Sequence, residues 1–212
     1  MIIEGLLHDP RRPGSTRVIV DGRPVWTVPA EVVDTLKLEA GKPIPSGAID
    51  HLNAAADEEG AFRAALRALE RRSHGRGELA AKLERKGHAP GAITPALERL
   101  EALGLLDDLA HARAYIASRS ERGRGPVRLR YDLARLGVAR SVIDQAIAEL
   151  DTGEEDPLAR PRELLARRVR SLGDLPVDAR RRRLLAFLGR RGYRGAEANS
   201  LVDEALGKGR SR

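Results

Sequence analysis

The chain of 212 residues contains no cysteine, a single methionine, a single tryptophan and only 3% aromatic residues. Without cysteine there is no disulfide framework and no thiolate metal site, and an intracellular protein is the simplest reading. So few rings do not suit one large core. Leucine and alanine carry most of the apolar content, a composition for short helices packed in small bundles rather than for a large sheet. No apolar run approaches the ~20 residues of a membrane span. The start, Met1-Ile2-Ile3-Glu4-Gly5, lacks the basic flank and long apolar stretch of a secretory signal. A cytoplasmic protein with no membrane contact is the expectation.

Catalytic constellations are missing as well. His8, His51, His74, His88 and His111 are scattered, with no His-Glu-x-x-His pair, so no metal site is expected. Asp107-Asp108 is the one adjacent aspartate pair. Such a pair can hold magnesium, but an aspartate N-cap followed by an aspartate in the first turn satisfies free amides and the helix dipole, and we prefer that reading. Gly123-Arg124-Gly125-Pro126 lacks the Gly-Lys-Ser/Thr ending of a phosphate-binding loop and follows no strand. It reads instead as Gly125 at a helix N-cap and Pro126 at the first helical residue, with glycine keeping the backbone free to approach a partner. No serine is set beside a base. Neither an enzymatic activity nor a cofactor is expected.

What the chain does have is a unit of about fifty residues repeated three times. Each copy carries Leu-x-Arg-x-Gly: Leu83 to Gly87, Leu133 to Gly137 and Leu188 to Gly192. Counted from the glycine, position −8 is Leu79, Leu129 or Leu184, +6 is Ile93, Ile143 or Ala198, and +10 is Leu97, Ile147 or Val202. Apolar residues at these offsets give each helix one buried face, and three short helices must bury those faces against one another. The signature itself has a sufficient structural explanation. Leucine packs, glycine adopts the left-handed conformation that ends a helix, and arginine complements the dipole. The same positions leave guanidinium groups exposed at helix ends, where an anionic partner can reach them.

Residues 1–57 differ. Arg17 to Val20 and Val25 to Val28 are β-branched runs flanking Asp21-Gly22, a hairpin signal. Pro29 is expected at the first position of a short helix running through Leu36. This region reads as a small β-containing cap or a loosely ordered arm. The expected divisions are therefore 1–57, three-helix repeats at 58–106, 107–152 and 153–206, and a basic tail at 207–212. Charge is uneven along them. Residues 1–60 hold six basic and ten acidic side chains, whereas residues 160–195 hold twelve arginines against Glu163, Asp174 and Asp178. A basic carboxy-terminal half implies a polyanionic or acidic partner.

Residues 61–150 resemble a known family. Arg71-Arg72 ahead of Glu78 to Leu83, then Gly87 and Ile93, then Leu97 to Asp108, Ala112 to Tyr115, and Gly123 to Pro126 with Leu129, Leu133 and Gly137 are similar to the RecX regulators of RecA recombinase. Two positions depart from the family pattern. Gly75 stands where a serine usually forms a capping box with Glu78, and Leu105 replaces a common aromatic. The resemblance implies a mainly α fold of three tandem three-helix, helix-turn-helix-like bundles in an elongated, curved array, with the hairpin region in front. It implies a protein that binds in the groove of the RecA–single-stranded DNA filament and lowers ATP hydrolysis, strand exchange and coprotease activity, acting as a monomer.

The candidate contacts to RecA or DNA are Arg71, Arg72, Lys82, Arg85 and Lys86 in the first repeat. In the second they are Arg122, Arg124, Arg128, Arg130 and Arg135, and in the third Arg168, Arg182, Arg183, Arg190 and Arg191. Single-stranded DNA is the expected nucleic acid, with duplex DNA as a further candidate. The competing readings are a helix-turn-helix DNA-binding regulator and a pure interaction scaffold. The first is disfavoured because Ala92, Thr94, Gly189 and their neighbours offer few base-reading side chains.

Overall fold

The computed structural model of the chain describes residues 1–10, 12–151, 156 and 158–207, and these form three strands followed by ten helices. Strands β1 (Gly5–His8), β2 (Ser15–Val20) and β3 (Arg23–Pro29) make an antiparallel sheet in the order β1-β2-β3. The β2–β3 turn is Asp21-Gly22, with φ of 51° and 71°, the paired left-handed conformation whose twist matches its flanking strands. β1 was not expected. Gly-Leu-Leu-His has no β-branched residue, and its extended form comes from pairing with β2, Gly5 opposite Ile19 through His8 opposite Thr16.

The sheet is no loose arm. Ile3, Val18, Val20, Trp26 and Val28 pack with Leu38 and Leu52 in a core of their own. Helix α1 (Ala30–Thr35) follows, with Pro29 at its N-cap rather than at the first helical position, because Pro29 still pairs with Ser15 as the last residue of β3. Helix α2 (Ala48–Leu69) then runs 22 residues without interruption, so the boundary expected at 57/58 falls inside it. Its first half supports the sheet through Leu52, and its second half supplies Ala61, Phe62, Ala65 and Ala68 to the first helical bundle. A buried carboxylate ties these parts together. Glu59, 1% exposed, accepts hydrogen bonds from Ser15 Oγ (3.0 Å), Arg63 Nε (2.7 Å) and Arg99 Nη1 (3.0 Å). Two guanidinium groups and a hydroxyl satisfy a charge that would otherwise be costly to bury.

The first bundle is completed by α3 (Arg76–Glu84) and α4 (Pro90–Ala102). The second consists of α5 (Asp108–Ser120), α6 (Pro126–Arg135) and α7 (Arg140–Asp151), and the third of α8 (Ala159–Arg170), α9 (Val177–Arg191) and α10 (Gly195–Ala205). Each has its own core, and the signature leucines lie inside: Leu83 is 1% exposed, Leu133 and Leu188 0%. The chain divides into two compact units, Met1–Asp107 and Asp108–Arg212. The run Asp151-Thr152-Gly153-Glu154-Glu155-Asp156-Pro157 reads from its sequence as an acidic linker before the third repeat, and most of it and of the tail at 207–212 lies outside the described residues. No described helix is long and apolar enough to cross a membrane.

The signature works the same way in all three bundles. Gly87, Gly137 and Gly192 have φ of 89°, 76° and 95°. The amide of the following residue donates back to the signature leucine carbonyl: His88 to Leu83 (3.2 Å), Val138 to Leu133 (3.2 Å) and Tyr193 to Leu188 (3.1 Å). This is the six-to-one closure of a helix ended by a left-handed residue. It satisfies an orphan carbonyl and turns the chain into the third helix of the bundle.

In the third copy the glycine does more. Gly125 is the N-cap of α6 with Pro126 next, and the Gly125 amide donates to the Arg191 carbonyl at 2.7 Å. The Val127 amide donates to the Gly192 carbonyl at 3.3 Å. The unpaired donors that open α6 thus meet the unpaired acceptors that close α9. The two backbones touch. A Cβ on Gly125 would lie 2.8 Å from the Gly192 carbonyl carbon, and one on Gly192 would run into the Arg128 backbone. The backbone that approaches Gly125 is therefore that of the third bundle of the same chain, where the sequence suggested room for a partner.

Two measurements follow from this junction. Gly87→Ala should cost about 1–2 kcal/mol for the left-handed conformation alone, since nothing lies within 4 Å of a Cβ placed there. Gly192→Ala should cost clearly more in urea unfolding, and equal losses would contradict the junction. Beside it, Tyr193 is 4% exposed, and burial first, then the Glu197 charge, pushes its phenol up to about 12. Its contribution to stability is therefore intact below the unfolded value near 10 and is lost as pH rises through about 12. Ultraviolet titration should show a late tyrosine step that Tyr193→Phe removes.

Candidate nucleic-acid interface

Because each second helix ends at the signature glycine, its arginine stands on the last turn, away from the leucine stripe. Arg85, Arg135 and Arg190 are all exposed, and among the described residues none pairs with a carboxylate. Their positive charge lies at the carbonyl end of its helix, where the dipole favours it. Arg71, Arg122, Arg182 and Arg183 and Lys86 are likewise exposed and unpaired among the described residues, and Lys82 is half-buried. On α9 the leucine stripe Leu184 and Leu188 is fully buried. At about 100° per residue Arg182 and Arg183 should point away from that stripe and Arg181 toward its side. Arg182 and Arg183 are exposed, whereas Arg181 turns toward α10 and bonds Asp203 and, at 2.9 Å, Asn199.

The remaining candidates are engaged within the fold. Arg124 and Arg128 share Asp132, the latter at 3.0 Å, and Arg130 bonds Asp144. The Arg130–Asp144 pair is exposed on both sides and worth about 0–1 kcal/mol, so a phosphate can compete for Arg130. The nearly buried Asp132 can release one of its two arginines only while it keeps the other. Arg191 is different. Its guanidinium stacks 3.9 Å from the Phe187 centroid, with Arg168 at 5.9 Å. Burial, then repulsion from Arg190 and Arg168, lowers its pKa against the opposing pull of Tyr193. Arg191 therefore serves packing at the α9–α6 junction more than it serves a partner.

In the first bundle, Gly75 caps α3 without a side-chain bond, which releases Glu78 from a capping box. Glu78 instead takes Arg72 through both oxygens, with His74 Nδ1 2.9 Å away. Burial alone would raise the Glu78 pKa, but Arg72 and His74 outweigh it and hold the carboxyl below its usual range. Arg72 is thus partly committed, and Arg71, Arg85 and Lys86 are the freer cations of that bundle.

Within the second unit the junction brings together what the sequence separates: the start of α6, with Arg124 and Arg128, meets the end of α9, with Arg190 and Arg191. Sequence reasoning missed that junction, the Glu59 hub and one exposed ring. Tyr131, between the buried Leu129 and Leu133, is 53% exposed and bordered by Arg128 and Arg135. Its place opposite the leucine stripe was a usable signal. Among the described residues no group of three or more His, Asp or Glu is placed to hold a metal ion.

Comparison with known proteins assigns the family. The model of the RecX first three-helix domain matches residues 61–100, and that of the second three-helix domain matches residues 107–147. Over 141 residues the chain is 45% identical to the regulatory protein RecX of Halorhodospira halophila, covering 66% of this chain and 84% of that protein. The chain belongs to the RecX family. Its counterpart in Streptomyces coelicolor is 37% identical over 143 residues, 66% of this chain and 74% of that one. A crystal structure of a regulatory protein RecX aligns with a TM-score of 0.77 over 97% of this chain and 98% of that chain at 20% identity, a likeness of fold.

The exposed pair on α9 gives a direct test. Every arginine that no longer meets a phosphate of a single strand should reduce the slope of log affinity against log salt by ~0.7. Replacing Arg182 and Arg183 with alanine should weaken binding to single-stranded DNA and flatten that slope while melting stays nearly unchanged. A large drop in thermal stability with an unaltered slope would mark both side chains as structural.

Proposed function

We propose that this RecX-family protein regulates RecA recombinase by lodging in the helical groove of the RecA–single-stranded DNA filament. There it lowers ATP hydrolysis, strand exchange and coprotease activity, acting as a monomer on a cytoplasmic partner. Family membership carries this reading, and the unpaired arginines at the ends of α3, α6 and α9 support it. A filament displays phosphates and protein carboxylates along one path, and the arginine fork pairs bidentately with both. The inhibition is steric and conformational: a body held across neighbouring subunits resists the rearrangement that turnover requires, and no covalent step is involved.

A helix-turn-helix regulator would read bases from the start of its third helix. Here α4 opens with Pro90-Gly91-Ala92 and α10 with Gly195-Ala196, which carry no donor or acceptor side chains. Of these third helices only α7 opens on a charged side chain, the exposed Arg140, 3.7 Å from Asp144, so one bundle in three offers a single base-reading candidate. The filament reading is therefore preferred.

Titrating the protein into RecA turning over ATP on single-stranded DNA should slow hydrolysis at substoichiometric to stoichiometric ratios, and the protein alone should hydrolyse nothing. Unchanged RecA turnover while the protein binds the filaments would refute the regulatory role.

A further inference from the structure

Helix α6 holds an aromatic ring out to solvent among cations. Leu129 and Leu133 are fully buried, so Tyr131 between them projects the other way and is 53% exposed. Val127, one turn earlier, is 45% exposed. The guanidinium carbons of Arg128 and Arg135 lie 5.3 and 5.9 Å from the ring centroid, close to the ~6 Å limit of a cation–π contact. They border the ring and leave it open. The other tyrosines are used in packing: Tyr193 is 4% exposed in the third core, and Tyr115 packs against the second.

The acidic side chain of α6, Asp132, is only 10% exposed and is held by Arg124 and Arg128. The outer side of the helix therefore presents Val127, Arg128, Arg130, Tyr131 and Arg135 with no free carboxylate, although Asp144 of α7 is bonded to Arg130. A flat apolar face with cations one turn to either side fits a polymer that alternates flat rings with phosphates. Single-stranded nucleic acid offers both. A duplex keeps its base faces inside the stack, and an acidic protein surface would engage the arginines and leave the ring unused.

We infer that Tyr131 is a base-stacking platform for single-stranded nucleic acid, with Arg128 and Arg135 on the flanking phosphates. The identity of the strand, the DNA of the RecA filament, rests on the function proposed above. The stacking itself is a property of this helix.

Fluorescence anisotropy tests it with labelled oligothymidylate and an abasic strand of equal length, using the full chain, Tyr131→Ala and Tyr131→Phe. One base–aromatic stack corresponds to roughly 5- to 150-fold in affinity. Tyr131→Ala should lose about that much on oligothymidylate and nothing on the abasic strand, at an unchanged salt slope. Tyr131→Phe should bind like the parent, which separates loss of the ring from loss of fold. An equal loss on both strands, no loss on oligothymidylate, or no binding by the parent would overturn the platform. RecA turnover is measured alongside. Suppression by the parent with undiminished oligothymidylate binding by Tyr131→Ala leaves the function standing and the platform refuted. No suppression by the parent, with the base-specific loss intact, refutes the function and leaves the platform standing. Loss of suppression without loss of oligothymidylate affinity would place the ring against protein and refute the platform.

Discussion

One backbone hydrogen bond, made three times, organises the helical part of this protein. The amide after each signature glycine returns to the leucine carbonyl five residues earlier, at 3.1–3.2 Å. The bond closes the second helix, and its geometry requires the left-handed conformation that glycine supplies. From it follow the burial of the leucine, the direction in which the third helix departs, and the position of the arginine on the last turn facing solvent. Structure and proposed binding surface are thus set by the same five residues. In the third bundle the closed end is also the seat for α6, whose first amides complete their hydrogen bonding on the carbonyls of Arg191 and Gly192.

Much of this could be read in advance because it is local. The helix period, the capping glycines, the Gly-Pro opening of α6 and the Asp-Gly hairpin are each decided within a few residues. What escaped depends on contacts between segments distant in sequence. β1 is a strand only because β2 pairs with it. The continuity of α2 through 57/58 is hidden because one helix serves two cores, so that its apolar pattern changes partner midway. Glu59 looks like a surface residue in the run Asp57-Glu58-Glu59 until Ser15, Arg63 and Arg99 close around it.

The candidate interface was legible as a class of residue and less so as individuals. A count of arginines cannot separate Arg191, flattened on Phe187 inside the junction, from Arg190 beside it, which is exposed. Nor can it show that Asp132 occupies Arg124 and Arg128 while Arg135 carries no carboxylate partner among the described residues. The useful division is between cations that complete the fold and cations the fold leaves over. Those left over recur at the same helix end in each bundle, as expected for a repeat that meets a repeating partner.

The proposed regulation of the filament by these cations requires that the helix ends face it. A cryo-electron microscopy map of RecA–single-stranded DNA filaments decorated with this protein tests that most directly. The map should place the protein in the helical groove with Arg85, Arg135 and Arg190 directed at RecA carboxylates or DNA phosphates. Density on the outer surface of the filament, or a groove-bound molecule with all three arginines turned to solvent, would contradict it.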